Sequence, residues 1–191
     1  MNKNMLLDRL PQFTKQGLKI RTDFRESIKF ELLMQDSRIT EKEKIMLALK
    51  LYYYDVSKIK DIRIAIDEIL WFYRCGKEIQ DKKVSKNEEA RAKQIYSYEF
   101  DDEYIYSAFM EQYRIDLNDI KYLHWWKFKA LSNSLNENTQ FVKIMGYRAM
   151  NIAKIKDKEM KNHYKKMQKI YALPDMRSEE EKEIDFANSL W

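Results

Sequence analysis

Apolar residues recur at spacings of three and four along most of this chain, and the residues that interrupt them are the kinds that start and stop helices. Phe24, Ile28 and Leu32 repeat every fourth position behind Asp23, which stands three residues before Glu26, so a first helix is predicted over 23–35. Thr40 with Glu43 forms a capping box ahead of Ile45, Met46, Leu49 and Tyr53, which share one face of a second helix. A third helix is predicted from Asp61 to Arg74, turning Ile62, Ile66, Ile69, Leu70 and Tyr73 inward, with Gly76 as its stop. Lys19-Ile20-Arg21, before the first helix, reads either as a short strand or as an extended lead-in.

The pattern fails between Lys77 and Gln94, where six basic and four acidic residues surround only Ile79, Val84 and two alanines. That composition describes a solvated linker. Periodicity resumes with Ile105, Ala108 and Phe109, continues through Leu123, Trp126, Ala130 and Leu131, and again through Phe141, Val142 and Met145. A last helix is predicted from Lys158 to Leu173, ended by Pro174. On it Met160, Tyr164, Met167 and Tyr171 form one stripe, and Lys158, Lys161, Lys165 and Lys169 form another about 140° away. No internal repeat of fixed period is visible.

Three glycines and two prolines are too few for a turn-rich β protein, and 45% hydrophobic with 35% charged residues suits a folded helical chain rather than a disordered one. The expected fold is all-α: two small helical halves, residues 1–75 and 98–175, joined by a charged linker at 76–97, with a short extended segment at the front. Residues 176–191 form an acidic tail, in which Ser178 ahead of three glutamates and the spacing of Ile184, Ala187 and Trp191, with Leu190 beside them, predict a short helix. One cysteine, Cys75, excludes an internal disulfide framework. The start of the chain lacks the form of a secretory signal, and no run approaches the roughly 20 apolar residues of a membrane span. The expected location is the cytoplasm of the host cell.

Charge is distributed unevenly. Lys143 to Lys169 holds nine Lys or Arg against Asp157 and Glu159, whereas Ser178 to Trp191 holds four Glu and one Asp against Lys182. A basic helix followed by an acidic tail suits binding to a partner or to itself.

Candidate chemistry is sparse. His124 and His163 have no ligand-type neighbour at metal spacing, and Cys75 falls at a helix C-terminus, where the dipole disfavours a thiolate. Asp101-Asp102-Glu103 could be a carboxylate cluster, but acidic residues in the first turn of a helix have the simpler explanation of capping. Phosphate-loop, dinucleotide and nucleophile-elbow motifs are lacking. The expectation is a protein that is not an enzyme, with no catalytic, metal or cofactor residues.

Aromatic residues carry more information. In Leu123-His124-Trp125-Trp126-Lys127-Phe128, Trp126 shares a face with Leu123 and Ala130 and belongs to the core. Trp125 and Phe128 lie on a neighbouring face, which packs against another helix, another subunit or a ligand. The candidate partner-binding residues are therefore Trp125 and Phe128, the lysine stripe Lys158, Lys161, Lys165 and Lys169, and Leu190 with Trp191 in the tail. Basic residues among aromatics also suit nucleic acid, but the aromatics follow core spacing and no nucleic-acid module pattern is present.

Several separated strings carry a family resemblance: Thr22-Asp23-Phe24-Arg25, Trp71-Phe72-Tyr73-Arg74-Cys75-Gly76-Lys77, the aromatic run Tyr98 to Arg148, Tyr171-Ala172-Leu173-Pro174-Asp175 and Phe186-Ala187-Asn188-Ser189-Leu190-Trp191. Together, from about Ile20 to the final residue, the chain resembles the bacteriophage gene-product-fifteen family of phages and prophages of Gram-positive bacteria. The departure lies at Leu10 to Ile20, whose middle is longer and richer in lysine than the family's usual hairpin-like start. The resemblance implies a role in tail morphogenesis, as a tail assembly chaperone for the tape-measure protein. A structural tail component and a basic helical nucleic-acid-binding phage protein are the alternatives, and self-association is a further possibility. It carries over no catalytic residue.

Overall fold

The computed structural model describes residues 4–77 and 94–174. Among them are seven α-helices and no strand: α1 (Phe24–Gln35), α2 (Glu41–Tyr52), α3 (Ile62–Tyr73), α4 (Asp102–Tyr113), α5 (Trp125–Asn133), α6 (Gln140–Ala149) and α7 (Lys158–Ile170). The fold is all-α, as its periodicity predicts. The linker at 76–97, apart from its ends, and the tail at 176–191 with Leu190 and Trp191 lie outside the described residues.

Local chemistry explains the boundaries. Asp23 caps α1 by accepting the Arg25 N–H at 3.1 Å, and Asp61 caps α3 from Arg63 and Ile64. The Thr40–Glu43 box is complete, with Glu43 accepting the Thr40 N–H at 3.0 Å and Thr40 accepting that of Glu43 at 3.4 Å. α5 begins on an imidazole: Nδ1 of buried His124 accepts the Trp126 N–H at 3.1 Å. That bond fixes the neutral tautomer, so His124 Nε2–H donates to the Pro11 carbonyl at 3.0 Å. Burial, and secondarily the charge of Lys127, lower the His124 pKa, while the Pro11 bond opposes them.

The expected inward face of α2 requires correction. Lys44, Ala48, Leu49 and Tyr52 are buried, along with Tyr53 just past the helix end, while Ile45 and Met46 are 40% and 41% exposed. Ala48, Leu49 and Tyr52 fill the core from this side, and the ammonium of Lys44 donates to the Met34 carbonyl at 3.1 Å near the end of α1 and to Glu41 at 3.1 Å. The lysine stem covers apolar surface while its charge meets the negative end of the helix. On α3 the buried set is Ala65, Glu68, Ile69 and Phe72, and Ile62 is left half exposed at the first turn.

The extended segment at the front is a lead-in with isolated bridges rather than a strand. Phe13 pairs with Lys19 and Ile20 with Tyr53, across a turn in which Thr14 donates to the Leu18 carbonyl at 2.8 Å. The most consequential bridge joins Asp23 to His124. Phe24 N–H donates to the Leu123 carbonyl at 2.9 Å and Trp125 N–H to that of Thr22 at 2.8 Å. The starts of α1 and α5 are thus bonded to each other.

That pairing leaves the two halves with one core. α1 packs on α2 and α5, α2 on α3, α4 on α6, and α6 on α7. Phe128 of α5 is stacked on Phe24 of α1 at 4.7 Å between ring centroids and on Phe109 of α4 at 5.0 Å. Trp125 adds to this stack at 5.7 Å from Phe128, and itself stacks on Tyr73 of α3 at 5.4 Å. Residues before 75 and after 98 form one buried cluster, so the division of the chain at the linker is not a division of the core.

α3 stops through a paired turn. Gly76 N–H returns to the Trp71 carbonyl at 2.9 Å and Cys75 N–H to that of Phe72 at 3.0 Å. Cys75 takes the left-handed position usually given to glycine, with φ 56°, and Gly76 follows at φ 74°. A Cβ on Gly76 would lie 2.8 Å from Cη2 of Trp126, whereas one on Gly17, also left-handed at φ 79°, would meet nothing within 4 Å. Gly76→Ala should therefore cost about 2–4 kcal/mol, combining backbone strain with overpacking, and Gly17→Ala about 1–2 kcal/mol from strain alone. Urea melts of the two variants give the comparison; equal losses would mean that Trp126 yields freely.

Candidate interaction surface

Trp125 and Phe128 do not form a partner surface in this fold. Both are fully buried, as is Trp126 at 1% exposure, because α5 runs through the centre of the core and only Lys127 of its first turn reaches the surface. Their polar atoms are used internally. The indole N–H groups of Trp125 and Trp126 donate to the Tyr73 and Phe72 carbonyls, both at 2.8 Å, and so satisfy the end of α3. Of the nearby lysines, Lys129 lies over the rings of Trp125 and Tyr96, at 5.5 and 5.7 Å.

Asp101 is not the simple cap that its position suggests. Its carboxylate makes no cap bond to α4 and instead accepts both Arg148 Nη1 at 2.6 Å and Arg148 Nη2 at 2.9 Å, together with the Ser97 N–H at 2.9 Å. Asp101 is 1% exposed and Arg148 5%. Two further donors of Arg148 go to backbone: Nε to the Tyr171 carbonyl at 2.6 Å and Nη1 to that of Ile95 at 3.2 Å. One guanidinium thereby joins α4, α6, the segment entering the second half and the end of α7. Nothing local in the sequence marks Arg148 as the partner of Asp101; the clue available was an arginine on the otherwise packing helix 140–149.

The other reactive candidates are structural. Burial pushes the Cys75 thiol up to about 11, against the opposing charges of Lys129 and Lys77, so it stays protonated at neutral pH. His163 sits on the surface against Tyr147 and Tyr164. The Tyr73 hydroxyl donates to Glu31, and its pKa is raised chiefly by burial and then by that carboxylate.

The lysine stripe remains on the surface. Lys158, Lys165 and Lys169 of α7 are exposed, with Lys166 beside them, whereas Lys161 turns towards the body and is half-buried. No residue of α7 is fully buried. Its contacts cluster at the C-terminal end: Tyr147 stacks on Tyr171 at 5.9 Å, and Gln168 Nε2 donates to the Tyr147 and Met150 carbonyls at 2.9 and 2.8 Å. Met160, expected in the packing stripe, is instead 54% exposed.

A second surface was not foreseen. Ile39, Met46 and Leu47 line a shallow open groove along α2, bordered by Arg38, Thr40, Lys42, Glu43 and Lys50. No helix among the described residues is long and apolar enough to cross a membrane.

What these observations define is an all-α protein whose aromatic residues build the core and whose distinctive chemistry lies on two helix faces. The family described as Bacteriophage Gp15 protein matches residues 6–173, and the chain belongs to it. The match begins earlier than the resemblance at Ile20 and ends at Leu173, so the string Phe186 to Trp191 lies beyond it. No curated protein matches the chain, and no solved structure does.

Two measurements test this geometry. Arg148→Met should lower stability by about 3–5 kcal/mol by leaving a buried carboxylate unpaired, and combining it with Asp101→Asn should cost at least about 1 kcal/mol less than the sum of the single changes. Additivity in chemical melts would mean that the pair is not coupled. For His124, a folded pKa below 6.5 makes its contribution fully present above that value and progressively lost as pH falls towards the folded pKa. Between neutral pH and about pH 5 the native chain should lose more stability than His124→Asn, which retains an acceptor near the Nδ1 position but cannot be protonated; matching losses would remove His124 from the pH response.

Proposed function

We propose that this protein is a tail-assembly factor of a phage or prophage, acting by binding rather than catalysis, and that its partner is the tape-measure protein. Family membership supports the phage assignment. The observation that carries the binding mode is the α2 groove, where Met46 and Leu47 stand 41% and 42% exposed beside Ile39. An amphipathic helix can lay its apolar face there, and an unbranched methionine adapts to sequence changes along such a partner. The partner of a chaperone must also leave, and a shallow groove without a buried anchor favours release. Such a protein works in the host cell cytoplasm, where tails are assembled.

A structural tail component would use the same groove and remain bound. The exposed lysines of α7 favour a third reading, binding to nucleic acid, which would weaken steeply with added salt.

Co-expression with the tape-measure protein of the same phage should keep that protein in the soluble fraction and capture it. Met46→Asp with Leu47→Lys should abolish capture while leaving the melting temperature within a few degrees, since both side chains are already exposed. Failure of the native protein to capture the tape measure would end this reading. Mass spectrometry of purified virions then separates chaperone from component: a chaperone is missing from finished tails, and stoichiometric retention identifies a component.

A further inference from the structure

Leu6 and Leu7 are the most exposed large apolar residues of the described chain, at 93% and 83%, and none of the others exceeds 57%. The turn that carries them is closed on itself. The Leu7 and Asp8 N–H groups donate to the Asn4 carbonyl at 3.3 and 2.8 Å, Leu6 N–H donates to Asn4 Oδ1 at 2.8 Å, and Asn4 N–H donates to Asp8 Oδ2 at 2.8 Å. A short step further on, the chain is fastened to the body: Leu10 packs against the core and the Pro11 carbonyl receives His124 Nε2–H. Asn4–Asp8 is therefore an apolar knob on a fixed base, and a shape held before binding lowers the cost of ordering it. Two adjacent leucines in water also carry a hydration cost that a covering surface removes.

The α2 groove offers such a surface, with an apolar floor of Ile39, Met46 and Leu47. Its border is unequally satisfied. Arg38 is paired with Asp36 at 2.8 Å, and Thr40 and Glu43 hold each other in the capping box. Lys42 and Lys50 lie within ion-pair distance of no carboxylate among the described residues. Asp8, the one charged residue of the turn, follows Leu7 directly and supplies the opposite sign. Within one chain the described residues leave both knob and groove open, so the complementary halves of this contact meet between copies.

We propose that Leu6 and Leu7 of one copy enter the α2 groove of a second copy, with Asp8 beside Lys42 or Lys50. Knob and groove are separate patches, so a copy that has lost one keeps the other. A contact of this size is weak and depends on concentration. Any helix that binds the groove from another protein must displace the knob. The association itself does not rest on the tape-measure reading.

Sedimentation velocity of the full chain at low salt, at low and high concentration, tests it. The native chain should shift from monomer to larger species as concentration rises. Leu6→Ser with Leu7→Ser should weaken that association about tenfold or more, and so should Met46→Asp with Leu47→Lys. Both variants should keep the native melting temperature within a few degrees, because all four side chains are exposed. Mixed in equal amounts, the two variants should form a 1:1 complex, since one supplies an intact groove and the other an intact knob. A native chain that stays monomeric throughout, association that the leucine changes leave intact, or a mixture that forms no complex would each overturn the proposal. Tape-measure capture plays no part in this readout, so either reading can fail alone.

Discussion

The ring of Phe128, held between Phe24 and Phe109, is the contact through which the described residues become one body. It brings together a helix from the first half, a helix from the second, and the helix that runs between them. Aromatic stacking contributes about 0.5–1.5 kcal/mol beyond the area it buries, and deleting a buried phenylalanine typically costs about 3–5 kcal/mol. Because Trp125 continues the same stack towards Tyr73, α3 is tied to the same centre. A chain with this arrangement cannot lose one half and keep the other intact.

That centre takes up the aromatic run of α5 and leaves other residue types on the two candidate surfaces. With Trp125, Trp126 and Phe128 enclosed, the α2 groove and the outer side of α7 are left to lysines, methionines and aliphatics, while the exposed aromatics Phe13, Tyr54, Phe100 and Tyr122 lie elsewhere. The α2 groove is apolar with a polar border of Arg38, Thr40, Lys42, Glu43 and Lys50, and α7 is basic along its outer side. Both surfaces are helical and shallow, which suits recognition of extended partners rather than small molecules.

Helix positions were legible in the sequence because capping is local. Asp23, the Thr40–Glu43 box and Asp61 act within three residues of themselves, and each appears in the structure where the pattern places it. Facing direction was less legible. On α2 Leu49 and Tyr53 face inward as expected, but Ile45 and Met46 do not, because the buried side turns through Ala48 and Tyr52 and includes Lys44, whose ammonium meets a carbonyl on α1. The aromatic run showed that a dense surface existed without showing which elements would close over Trp125 and Phe128. Arg148 was illegible, since its carboxylate partner is 47 residues earlier and no periodicity links the two. His124 as a cap was missed for a related reason: imidazole is an uncommon N-cap, and the carbonyl that receives its Nε2–H belongs to Pro11, 113 residues away.

The bonds of Arg148 have a mechanical consequence. Its guanidinium grips the Ile95 carbonyl near one end of the stretch 78–93 and the Tyr171 carbonyl just before 175–191. Tension applied through either stretch converges on a single side chain anchored by Asp101. Hydrogen bonds and close ion pairs fail over a fraction of an ångström, whereas apolar contacts yield gradually. The body is therefore brittle at this joint: it resists small loads almost without deformation and gives way abruptly beyond a threshold.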